Sequence, residues 1–77
     1  MKRTALTQLK ANHRGRVTDI LGGGGLQNRL MNMGVYKGRE VVKLSHIGLR
    51  GPVVIKVGRG ILALGHGIAL KVIVEAE

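Results

Sequence analysis

Apolar residues fall in short runs along the chain, and most runs carry the period of a strand. Val53, Ile55 and Val57 alternate with Val54 and Lys56, the spacing of a half-buried strand opened by Pro52. Arg16–Leu21, Gly38–Ser45, Ile61–Leu64 and Leu70–Glu75 read as four more strands. Within them, alternation predicts Val42 and Leu44 on one inward face and Leu70, Val72 and Val74 on another. Leu26–Met33 breaks the pattern: Leu26, Leu30 and Met33 recur at i, i+4 and i+7, one face of a helix. Gly34 then offers a left-handed C-terminal cap. Loops are expected at Gly22–Gly25, at His46–Gly51, at a Gly58-Arg59-Gly60 hairpin turn and at a break over Gly65-His66-Gly67.

Five strands and one helix in 77 residues leave edges to hide, and curling into a small barrel is the compact way to do it. The expected fold is therefore mainly β, a five-stranded SH3-like barrel with one short α-helix, forming a single domain over residues 1–77. Alternation leaves Val41, Val54 and Ile73 on outer faces, and it leaves Val35, Tyr36, Leu49 and Ile68 in loops. A cluster of such residues at the surface would mark a protein contact.

Composition narrows the function. The chain has no cysteine, which excludes disulfides, zinc ribbons, iron–sulfur clusters and thiol catalysis and fits a cytoplasmic location. It has neither the apolar core of a secretory signal nor the ~20 apolar residues of a membrane span, so it is expected to be soluble or at most peripheral to a membrane. The only acids are Asp19, Glu40, Glu75 and Glu77, and no motif pairs them for acid–base work. No enzyme activity and no cofactor are expected. The glycine run Gly22–Gly25 precedes a helix, but Gly25-Leu26-Gln27 stands where a phosphate-binding loop needs Gly-Lys-Ser/Thr. His13, His46 and His66 lack metal-site spacing and read as solvated loop rings, so no metal site is assigned within the chain.

Charge is the strongest compositional bias: 13 Lys and Arg against 4 Asp and Glu, a net charge of +9. One cluster is Lys2, Arg3, Lys10, Arg14 and Arg16; a second is Lys37, Arg39, Lys43, Arg50, Lys56 and Arg59. Such a surplus attracts nucleic-acid phosphates or an anionic membrane surface. Single-strand readers also need aromatic platforms, and Tyr36 is the only aromatic residue. A specific nucleic-acid partner is not expected; a basic nucleic-acid-binding barrel is the alternative.

The order of these pieces resembles the FeoA family, small accessory proteins of bacterial ferrous-iron uptake. The resemblance rests on Leu6, Leu9, Val17 and Ile20, then on Arg29-Leu30-Met31-Asn32-Met33-Gly34, Gly38 and Val41. It continues through Gly51-Pro52, Gly60, Leu62-Ala63-Leu64, Ala69, Val72 and Val74. It implies an SH3-like barrel and a partner, the FeoB membrane transporter with its cytoplasmic GTPase domain. Related domains are appended to iron-dependent repressors, so a detached regulatory domain is a further alternative. Three positions depart from the family's habit: Gly51 where an acid often precedes the proline, Gly65-His66-Gly67-Ile68 where Arg and Glu are usual, and Leu70 where a polar residue is usual. With no catalytic set in view, the expected role is that of a non-enzymatic adaptor binding FeoB. Leu26, Leu30, Met33, Gly34 and Tyr36 are the candidate contact residues.

Overall fold

A computed structural model describes residues 2–76. It contains six strands where five were expected: β1 Lys2–Ala5, β2 Arg14–Ile20, β3 Glu40–His46, β4 Val53–Val57, β5 Gly60–Leu64 and β6 Val72–Ala76. Helix α1 spans Gly24–Asn32 and a one-turn helix α2 spans His66–Ala69. All pairings are antiparallel, in the order β1-β6-β2-β3-β4-β5. Among the described residues no β1–β5 ladder joins the two edges, so the expected closed barrel is instead an open, curled sheet. The curl is visible in the core: side chains from β2 through β6 meet in one buried cluster.

The extra strand is β1. Its residues are two basic and two small ones with no apolar alternation, so nothing in the pattern announces it. Its place comes from backbone pairing with β6, Lys2 opposite Ala76 through Ala5 opposite Ile73. Charged residues suit such an edge because they discourage pairing with other chains. A 3-10 turn at Leu6–Gln8 then drives Leu6 into the core, with Leu9 just beyond it.

In β3 the expected inward face is reversed. Val41 and Lys43 are buried, whereas Val42 and Leu44 are half-buried. Adjacent valines satisfy either register, and a lysine at the next inward position hides the true one. Lys43 is tolerated because its Nζ donates a 2.8 Å hydrogen bond to the Thr7 carbonyl oxygen, tying β3 to the 3-10 turn. Burial pushes the Lys43 ammonium below its ordinary pKa by desolvation. Thr7 Oγ1 is buried beside it with no hydrogen-bond partner among the described residues.

The strand Val53–Val57 points Val53, Ile55 and Val57 inward as expected, as does β6 with Val72 and Val74. Leu70 is not part of β6; it follows α2 and is exposed. The expected break at Gly65-His66-Gly67 is the start of α2, whose Ala69 is fully buried.

Candidate protein-contact surface

Helix α1 begins after Gly23 with no side-chain cap, and it ends in a Schellman motif. The Gly34 N–H donates to the Met31 carbonyl at 2.9 Å, and the Val35 N–H donates to the Leu30 carbonyl at 2.8 Å. Gly34 sits at φ +90°, which a residue with a Cβ adopts only under strain. The motif also joins Leu30 and Val35, both fully buried, as its apolar clasp.

This clasp sorts the five sequence candidates. Leu30 is 0% exposed and serves the core, where its burial contributes about 1.5–3 kcal/mol. Leu26 is half-buried against the core cluster. Gly34 is half-buried and sets the chain direction. Met33, expected on the inward face, is 39% exposed, because the helix ends at Asn32 and Met33 caps it in a non-helical conformation. Tyr36 is 36% exposed. Met31, which helical spacing did not select, is the most exposed of this group at 57%. Three large side chains at the exit of α1 are thus exposed: Met31, Met33 and Tyr36. Helical periodicity finds the face that is buried; the residues on the opposite side of the turn are found only once the cap is in place.

The two basic clusters of the sequence partly merge beside this exit. Register places Arg14 of β2 opposite Val42 of β3, and Val42 opposite Lys56 of β4. Arg14, Val42 and Lys56 line a shallow cleft together with Tyr36, Arg39 and Glu40. Arg39 Nη1 donates to the Tyr36 hydroxyl at 2.9 Å, and its guanidinium carbon lies 5.6 Å from the ring centroid. Glu40 neutralises part of the cleft through Arg14, 3.4 Å away. Lys37 is 3.6 Å from Asp19 at the neighbouring turn. Lys43, counted above with the second basic cluster, is withdrawn into the core.

The histidines divide differently. His13 lies outside any element, just before β2, while His46 ends β3 and His66 starts α2. His46 and His66 are half-buried and meet through their rings, with Nε2 of His46 3.4 Å from Nδ1 of His66. Twenty residues separate them, so only the sheet register brings them together. Among the described residues no cluster of three or more His, Cys, Asp or Glu side chains is assembled, and no helix is long and apolar enough to cross a membrane.

The sequence profile of the FeoA domain matches residues 4–76. No curated protein matches the chain. Among solved structures, the chain is similar to an iron uptake regulatory protein (FeoA), with 30% identity, a TM-score of 0.89 and full coverage of both chains. It is also similar to iron(II) transport protein A from Clostridium thermocellum, with 26% identity and a TM-score of 0.86, covering 95% of this chain and 45% of that one. The IdeR protein of T. acidophilum shares the fold at 17% identity and a TM-score of 0.87, covering all of this chain and 35% of that one.

Proposed function

The chain belongs to the FeoA domain family, and from that premise we propose that it serves ferrous iron transport as a non-enzymatic accessory protein. It acts by docking on the cytoplasmic part of a FeoB-like transporter. The observation that carries this reading is the near full-length family match combined with large side chains left outside the clasp of α1. Met31 and Met33 are unbranched and polarizable, so they conform to a partner surface, and Tyr36 adds a ring with a hydrogen-bonding tip. Burial of these three side chains supplies affinity, while Arg14, Arg39 and Lys56, which line the cleft with Tyr36, provide a positive field that accelerates encounter with an acidic partner.

A curled sheet flanked by short helices fits this role, because it presents a rigid face for contact. The relevant experiment is capture of a FeoB-like transporter by the immobilised chain. Enrichment over a basic protein of matched charge is expected; equal capture by that control would sink the proposal, since it would leave charge alone as the cause. Replacing both Met31 and Met33 by glutamate should abolish capture at unchanged helical signal. A second reading is favoured by a manganese-dependent transcriptional repressor that shares the fold over 42% of its chain: the chain as a freestanding counterpart of a regulatory domain. It predicts capture of a DNA-binding protein in place of the transporter.

A further inference from the structure

We propose that His46 and His66 form a two-imidazole site for one late first-row divalent cation, of which Zn²⁺ and Ni²⁺ are the representative cases. The site is a product of register. His46, the last residue of β3, pairs with Val53, and Val53 pairs with Leu64 at the end of β5. Gly65 then turns the chain so that His66 begins α2 at the same end of the sheet. Ala69 of α2 is fully buried and its N–H donates to the Gly65 carbonyl at 2.9 Å, so the turn that carries His66 is anchored.

The nitrogens already stand at the separation a metal requires. A tetrahedral centre with metal–nitrogen bonds of about 2.0–2.1 Å holds neighbouring ligand nitrogens about 3.3–3.4 Å apart. Nε2 of His46 and Nδ1 of His66 are 3.4 Å apart. With centroids 5.5 Å apart and planes 26° from parallel, the rings meet nitrogen to nitrogen along their edges rather than face on. To converge on one cation, each ring turns by about 35° from this head-on arrangement, as a tetrahedral angle demands. A hydrogen bond between the facing nitrogens needs one of them to carry the proton, the choice resting on the tautomer. For a metal to bind, that proton must move to the far nitrogen of its ring so that both facing atoms offer lone pairs.

The donor set selects the ion. Two imidazoles without a carboxylate suit zinc, nickel and copper and disfavour calcium and magnesium. Ferrous iron stands below these metals in the affinity order, so the site distinguishes them from iron. The described residues provide no third ligand, which leaves the remaining positions to water. The net charge of +9 opposes cation entry, and salt screens that opposition over about 8 Å at physiological ionic strength.

The test uses the full 77-residue chain in 0.15 M salt, titrated with ZnCl₂ and separately with NiCl₂ by calorimetry, with imidazole nitrogens followed by NMR during the Zn²⁺ titration. One ion per chain is expected, with Nε2 of His46 and Nδ1 of His66 shifting and His13 unmoved. His46→Gln and His66→Gln should each weaken binding by about 10-fold or more, while His13→Gln leaves it unchanged. The proposal is overturned if neither ion binds, if both single variants bind like the parent, if His13 shifts instead, or if one ion takes up two chains. The wild-type ring signals keep the test decisive should a glutamine variant fold poorly.

Discussion

Two corners of the molecule differ in what their side chains do. At the exit of α1, backbone hydrogen bonds fasten the turn: Gly34 and Val35 donate to Met31 and Leu30, and Met31, Met33 and Tyr36 stay exposed. At the far end of β3, steric fit and side chains add to backbone bonds from the Ile47 N–H to the Pro52 carbonyl and from the Ala69 N–H to the Gly65 carbonyl. A Cβ built on Gly51 would overlap the Ile47 carbonyl oxygen, so the loop between β3 and β4 closes only around glycine. There the His46 and His66 rings connect β3 to α2. The second corner also exposes Ile47 and Leu49, whereas at the first Tyr36 lines a cleft with Arg14, Arg39 and Lys56. Docking is placed at the first corner for that basic cleft, and ion capture at the second for its facing imidazoles.

Leu30 clasps the first corner from within the core. Leu30→Ala should cost about 2–5 kcal/mol in urea unfolding, since it empties a fully buried site. A loss below about 1 kcal/mol, the usual scale of a mutation outside the core, would show that Leu30 is not core. Next come the glycines that shape each corner. Gly51→Ala and Gly34→Val should each lower stability by about 1–3 kcal/mol, the first through overlap with the Ile47 carbonyl and the second through positive φ. An unchanged melting temperature for Gly34→Val would refute the Schellman assignment. By contrast, Met33→Ala should shift stability by no more than about 0.5 kcal/mol, because its side chain serves the surface.

A smaller effect tests the buried lysine. Lys43 has a folded-state pKa below its unfolded value, so between the two the unfolded chain binds more protons and stability rises with pH. The penalty is therefore fully present below the folded value and fades as pH approaches about 10.4. Subtracting the unfolding curves of Lys43→Met from those of the parent should isolate this rise; a flat or falling difference would contradict it. The smallest effect is at Thr7, whose unpartnered Oγ1 makes Thr7→Val neutral or slightly stabilising by thermal melting.

Much of this was legible in the sequence. Val53, Ile55, Val57, Val72 and Val74 declare their face by clean alternation, and Leu26 and Leu30 followed by Gly34 declare a helix and its exit. Other features were not. β1 has no apolar signature because an edge strand pairs through its backbone. β3 concealed its register because Val41 and Val42 fit either face and a buried lysine mimics a surface one. Met31 and the His46–His66 pair depend on a cap and on strand register, which place residues by geometry that no local spacing encodes.

The docking claim is tested most directly by NMR mapping. The ¹⁵N-labelled chain is titrated with the GTPase-containing cytoplasmic part of a FeoB-like transporter at about 0.15 M salt, where exposed charges are largely screened. The largest amide shifts should fall on residues 31–39, with residues 46–52 and 64–70 nearly still. Shifts concentrated around His46 and Gly51, or none at saturating partner, would contradict it.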